Sequence, residues 1–528
     1  MGTFKRNIGI VGLAWSGKTV FLTSLIHHLQ HHDPDNFALQ SGNNKFPNPA
    51  VRKFKQPEWE KLEHSVPAAE ANPPEHTISG FSRFKSIFGL KQEPREGTQD
   101  VGLQVQVTPD EMPHGAEHKK RPGRTAKPFM NLSEFDKEAY WAAVYDAHSW
   151  PAKTRAMSAY RCQFEREDWS FTDVDLTFYD FPGERFSDTT MLGKSYLEWS
   201  DALLKHLELD RSYRGLAQEY LSLQNQPDVD SETLIQAYKR TLASLTLHYR
   251  SLITPSTFLL DQSGKAPSTS DVEKMASERY SGLSQETQFA PMSAALRLRL
   301  PEVQEMFAKH YDAYSLEIPQ TSFDLLKRCH RLVVLIDVTN ILAANVGRLD
   351  DSEAIIENVL RSCVQERSSS GRIGRFLASA LLPNTWRPVG ISRIAFVATK
   401  SDMVHPSQVD HLLGLLQDLV KKKIRDYNIL HKYFTCAAIR STEPDGDRLL
   451  GHPVYTPEGR RRKPPQINDF MAELNPSDVP ENWPGFWESG TYCFPEVWPR
   501  IPRRRSDPPE QQGLNRIFDY LLDENWTE

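Results

Sequence analysis

The sequence predicts an α/β protein of the P-loop NTPase class, a doubly wound, mostly parallel sheet carrying a long loop-rich insertion and an α-helical insertion. Three observations predict it. An apolar run at Ile8, Ile10 and Val11 leads into GLAWSGKT, Gly12 to Thr19, and directly on into the helical pattern VFLTSLIHHL. The segment from Val174 to Arg185 alternates apolar residues up to Asp180 and then breaks at Pro182 and Gly183. Two later runs, within Arg331 to Asn340 and from Ile394 to Val397, are apolar without alternation, the pattern of strands buried on both faces.

The first element is a phosphate cradle. Strand, glycine-rich loop and helix N-terminus in that order let backbone N–H groups and the helix dipole hold a polyphosphate. Gly12, Leu13, Ala14, Trp15, Ser16, Gly17, Lys18, Thr19 and Val20 make up this cradle. Lys18 is placed to reach the β and γ phosphates and Thr19 to put its hydroxyl on a magnesium ion. The following helix is expected to bury Val20, Phe21, Ser24, Leu25, Ile26 and Leu29 and to end near Asp33, Pro34 and Asp35. His27 with His31, and His28 with His32, have metal-ligand spacing, but no glutamate lies between them and no third ligand is near, so they read as a polar helix end.

Residues 39–136 are rich in Pro, Gly, Asn, Lys and Glu and read as a loop-rich, partly disordered insertion. Within them FSRFKSIFGLK, Phe81 to Lys91, spaces three phenylalanines helically among basic residues. That pattern suits a membrane-surface or partner-groove helix, and equally an amphipathic segment packed on the core. Thr154, ahead of the expected strand SAYRCQF, stands where a switch threonine closes over magnesium; Arg155 is its neighbour. Asp180 then occupies the strand end where a magnesium-linked carboxylate belongs, and Gly183 offers a backbone N–H to a γ phosphate. Residues 201–324 carry apolar residues at three and four spacing and read as a helical subdomain between this switch and the next core strand.

The run Ile394 to Val397 ends in Thr399, Lys400, Ser401 and Asp402, a form of [NT]-K-x-D. A carboxylate accepts from both N1–H and the 2-amino group of guanine but is repelled by the bare N1 of adenine, so Asp402 reads the base. Lys400 lays its alkyl stem along the ring. The segment YFTCAAIR, Tyr433 to Arg440, is expected to be a short strand running into Thr435, Cys436 and Ala437, where small residues, Ala438 included, let backbone N–H groups approach the guanine oxygen. Pro453 to Pro509 reads as Pro-rich connecting chain with basic clusters at Arg460 to Lys463 and Arg503 to Arg505, solvated unless they meet anionic lipid or nucleic acid. LNRIFDYLLDENW should be the last core helix. The core is therefore expected to be residues 1–38, 137–200 and 325–528.

Taken together, GLAWSGKTVFLTSLI, FYDFPGER, LLKRCHRLVVLIDV, FVATKSDMVHPSQ and TCAAIRST resemble the YcjX-like family of bacterial P-loop GTPases, a stress-associated group with a Ras-like core. The resemblance implies GTP and GDP as ligands, magnesium as cofactor, and a nucleotide-controlled switch. The family's loop tends to carry a basic residue where Trp15 stands here. Ras-like GTPases commonly place a water-orienting glutamine at the position of Glu184, and the PGE form itself is similar to the YcjX-like family. A carboxylate there faces like charge at the γ phosphate, so hydrolysis is expected to be slow. Arg185 and Arg155 are candidates for transition-state charge, and equally for solvated surface arginines. Two other classes stay open: a nucleotide-binding scaffold without turnover, and a P-loop phosphotransferase, which would need no base-reading Asp402.

Composition narrows the partners. The 528 residues carry a net charge of −6, which offers no excess of cations for general nucleic-acid binding. Mean hydropathy of −0.54 points to much exposed connecting chain. Five widely spaced cysteines, Cys162, Cys329, Cys363, Cys436 and Cys493, include no C-x-x-C and suit a reducing cytosol. MGTFKRN passes straight into the first strand, so no cleaved secretory segment is expected. The longest apolar run is too short to span a bilayer, which leaves a cytoplasmic protein, with peripheral placement at the inner membrane as the membrane-linked option.

Overall fold

A computed structural model describes residues 2–13, 16–40, 48–57, 132–151, 157–169, 172–249, 254–255, 258–259, 270–277, 287–317, 325–363, 390–425, 427, 429–466 and 469–522. Met1–Pro57 and Asn131–Glu528 form one compact unit. The second unit, Glu58–Met130, lies outside the described residues, and with it Phe81 to Lys91.

The sheet is built from β1 (Gly2–Gly12), β2 (Val51–Lys55), β3 (Ser133–Glu134), β4 (Ser158–Arg166), β5 (Thr172–Asp180), β6 (Arg331–Ile336), β7 (Arg393–Thr399) and β8 (Leu430–Cys436). Its order is β2-β4-β5-β1-β6-β7-β8, with β3 alongside β4. From β5 to β8 every pairing is parallel, and only β4 runs antiparallel to β5 and to β2. The central strands β6 and β7 are buried at every position, as unbroken apolar runs require when helices cover both faces. Ile8, Ile10, Val333, Leu335, Ala395 and Val397 face a core shared with the helices Lys18–Gln30 and Leu514–Leu522. The alternate residues Val11, Val334, Ile336 and Phe396 meet Ile355 and Val359 of the helix Val346–Cys363. This is a doubly wound α/β sheet of the P-loop NTPase type.

The strand that runs into Thr435 and Cys436 ends at Cys436, and Ala437 bridges Gln512. Val51–Lys55, β2, pairs antiparallel with β4. One expectation is corrected. His27 and His28 are not a polar helix end, being 1% and 0% exposed. The helix Lys18–Gln30 is covered on its second face too: Trp141 stacks on His27 with ring centroids 4.0 Å apart, and Phe37 on His28 at 4.8 Å. The tail closes over it, Trp141 Nε1 donating to Arg505 O at 3.0 Å and Asn36 Nδ2 to Pro509 O at 3.3 Å. Among the described residues no group of three His, Cys, Asp or Glu is placed to hold a metal.

Burial drives both imidazoles down to about 3. A depressed folded pKa leaves both rings neutral at neutral pH. As pH falls below about 6.5 the unfolded chain takes up protons that the folded chain refuses, so each ring removes about 1.4 kcal/mol of stability per pH unit. His28→Leu is expected to flatten that acid limb by one proton, read from urea midpoints between pH 7 and pH 5.

The helices Tyr196–Leu209, Arg211–Leu223, Ser231–Tyr249, Ala294–Arg299 and Pro301–Glu317 surround a second core that includes Trp199, Tyr220, Tyr238, Phe289 and Tyr311. The first of them starts at a capping box, Ser195 and Glu198 each satisfying the other's backbone N–H. This helical layer is bonded to the 3-10 turns Gly183–Met191 that follow β5: Tyr314 OH donates to Asp188 Oδ2 at 2.7 Å and Tyr311 OH to Met191 O at 3.0 Å. No helix among the described residues is long and apolar enough to cross a membrane.

Candidate nucleotide-binding site

Parallel strands in register bring their carboxyl ends to one edge, the edge where doubly wound sheets bind ligands. Ile10 pairs with Asp180, Gly12 with Leu335, Ile336 with Ala398, and Thr399 with Cys436. The loops leaving β1, β5, β6, β7 and β8 therefore meet, and they line a cleft of about 480 Å³.

At one part of the cleft is the glycine loop. Gly17 holds φ at 80°, a left-handed conformation that other residues rarely adopt, and it ends the loop so that the helix can start at Lys18. Gly12 is required for space: a Cβ there would lie 2.4 Å from Ser16 Oγ and 2.6 Å from Leu335 O. The second contact is with backbone of the central strand and has little room to yield. Gly12→Ala is therefore expected to cost about 2 kcal/mol or more of stability, checked by denaturant unfolding. Ser16 N–H donates to Leu13 O at 3.1 Å, closing the loop. Lys18 Nζ donates to Gly12 O at 3.1 Å and Leu13 O at 3.2 Å, so its ammonium is folded over the loop rather than out to solvent. Thr19 is buried beside it, Val20 lines the cleft, and Asp180 is fully buried at the end of β5. Ala14 and Trp15 lie outside the described residues.

At another part are the ends of β7 and β8. Lys400 adopts a left-handed conformation, φ 56°, that leads into a 3-10 turn, and Asp402 in that turn lines the cleft. Lys400 Nζ is 2.6 Å from Asp337 Oδ2. Asp337, just beyond β6, also caps the helix Val338–Ala343 through Asn340 N–H at 2.9 Å. Asp402 is buried, and its Oδ2 accepts from Ser441 N–H at 2.6 Å and Ser441 Oγ at 2.7 Å. Burial pushes its carboxyl above the usual range, and the Ser441 donors pull against that shift. Thr399, Cys436, Ala437 and Ala438 line the cleft as well.

Gly183 lines the cleft at the end of β5. Glu184 and Arg185 follow in the first 3-10 turn, but their side chains, like the whole of Thr154 and Arg155, lie outside the described residues. Contributors that motif reading does not name are Asp337, Thr339 and Asn340 after β6, Ser441, Trp150, His248 at the end of the helix Ser231–Tyr249, and Phe494 to Val497. Only Asp337 has a local signal, a carboxylate closing an apolar run.

A glycine loop between strand and helix, at the carboxyl edge of a doubly wound parallel sheet, is the arrangement of the P-loop NTPase fold. The chain belongs to the YcjX-like family, DUF463, whose profile matches residues 112–525. That match begins after the glycine loop, which stands on its own geometry. The chain is also similar to two proteins named Ras-like GTPase YcjX. One, from Shewanella oneidensis, is 24% identical over 426 residues, covering 76% of this chain and 81% of the relative. The other, from Escherichia coli strain K12, is 21% identical over 401 residues, 70% of this chain and 79% of the relative.

Proposed function

We propose that this chain binds GTP and GDP with magnesium and hydrolyses GTP slowly, as a nucleotide-controlled switch. The observation that carries the reading is Asp402: a buried carboxylate, oriented by Ser441, in the same cleft as Lys18 and Thr19. A phosphate loop alone would serve adenine or guanine; a fixed acceptor at the base end favours a partner with two adjacent donors. The name Ras-like GTPase borne by two relatives supports the same reading.

The oxygens present suit magnesium. Thr19 supplies a buried hydroxyl and Asp180 a buried carboxylate, hard donors of the kind the ion takes beside phosphate oxygens. When bound, the ion would be held by Thr19 and Asp180 and would supply positive charge against that which develops on phosphoryl transfer. In this reading Lys18 binds the β and γ phosphates, the Gly183 N–H meets the γ phosphate, and Ala437 and Ala438 bring backbone N–H groups to the base. Residues 1–38, 137–200 and 325–528 act as the switch core. Residues 201–324 act as its readout, supported by the Tyr314 bond to Asp188 in the 3-10 turns that start at Gly183.

Glu184, in place of a neutral glutamine, favours slow turnover and keeps a scaffold without turnover as the second reading. Labelled GTP and ATP binding followed by phosphate release tests the whole. GTP preference with slow release is the expected result. Preference for ATP would overturn the guanine reading, and tight GTP binding with no release would leave the scaffold.

A further inference from the structure

Within the Pro-rich stretch, residues 494–497 supply a wall of the cleft that none of the nucleotide motifs provides. Trp150 is half-buried and lines the cleft. With Val20, directly after Thr19, it packs on a small apolar cluster that holds Ile439, directly after the Ala437–Ala438 turn. The indole thus sits where the phosphate-loop side and the base side of the cleft come together. Its Nε1–H donates to Val497 O at 2.7 Å, and Val497 lines the cleft as well. Val497 is itself fixed: it bridges Pro453, while its neighbours Glu496 and Trp498 make backbone hydrogen bonds at 2.8 Å with Val454 and His452. Its side chain shares a buried cluster with Met403, the residue after Asp402.

We propose that Trp150 is a nucleoside-binding residue, its ring stacking on the bound nucleoside while its Nε1–H staples the residue 494–497 wall over the cleft. The proposal rests on the guanine reading and deepens it. A flat, partly exposed aromatic lining the same cleft as a base-reading carboxylate gains dispersion and π contact with any purine, so it adds affinity without adding base preference. The staple adds a second role, since a nucleotide leaving the cleft must pass a wall tied at its centre.

Two variants separate these roles. Trp150→Leu is expected to weaken GDP and XDP binding alike by on the order of tenfold, through loss of stacking. Trp150→Phe keeps a ring and removes the donor, so it should hold affinity within about threefold while GDP release quickens. Energy transfer to a methylanthraniloyl-GDP probe should fall in Trp150→Phe relative to wild type, because this indole borders the ligand. Unchanged GDP affinity in Trp150→Leu with an unaltered melting temperature would overturn the proposal. So would equal losses in both variants tracking a lowered melting temperature, which would make Trp150 packing only. Should wild type fail to bind GDP, the guanine reading itself falls, a result distinct from either.

Discussion

Lys18→Ala is expected to lower the affinity for GTP by about three orders of magnitude while leaving the fold in place. The ammonium is held over the glycine loop by Gly12 O and Leu13 O, in a buried position where its charge is poorly screened. Opposite unit charges about 4 Å apart near a protein surface attract by roughly 4 kcal/mol, and a triphosphate presents more than one. The carbonyls that hold the amine are weaker partners than phosphate oxygens, so little of that attraction is lost in releasing it. Removing the side chain takes away two neutral-acceptor hydrogen bonds, and the stability loss should stay at about 1 kcal/mol. Titration calorimetry with GTP, paired with a urea melt, checks both halves. Affinity retained within about threefold would show that the loop is a turn and not a cradle.

What the sequence reveals and what it hides divides along a physical line. Lys18, Asp180, Asp402 and Ala437 each sit at or just beyond the end of a parallel strand, and register alone brings strand ends together once the sheet order is fixed. Their chemistry is local, so spacing within a short segment is enough to find them. Ser441 and Trp150 act through partners elsewhere in the chain, and no periodicity announces a hydroxyl that will meet a carboxylate 39 positions away. Pro453 to Pro509 reads as exposed chain because proline and charge dominate it; yet Val454 N–H within it donates to Glu496 O, Trp498 N–H donates to His452 O, and Trp487, Val497 and Trp498 are buried. Extended chain that pairs irregularly gives neither a period of two nor of 3.6. The burial of His27 and His28 is hidden for a related reason: the second cover of their helix is Trp141 and the tail at Arg505 and Pro509, far away in sequence.

Asp402→Asn is expected to reverse the base preference, lowering GTP affinity by on the order of a thousandfold and raising that for xanthosine triphosphate. The direction follows from Ser441. Its N–H and hydroxyl both donate to one carboxylate oxygen, at 2.6 and 2.7 Å, so in the variant they hold the amide's oxygen and turn its NH₂ toward the base. Guanine would then set its 2-amino donor against another donor, losing two charge-assisted bonds of about 1.5–3 kcal/mol each. Xanthine carries a carbonyl at that position and accepts. Because burial already disfavours the charged form of Asp402, the neutral amide should not lower stability, which keeps the binding result readable. Adding Ser441→Ala to Asp402→Asn sharpens the argument: with the hydroxyl gone, only the backbone N–H at position 441 orients the introduced amide. The amide then flips more readily, and the xanthine gain should shrink while guanine remains poor. A base preference unchanged by Asp402→Asn would mean that the carboxylate only braces the turn with Ser441, and the protein would have to read its nucleotide elsewhere.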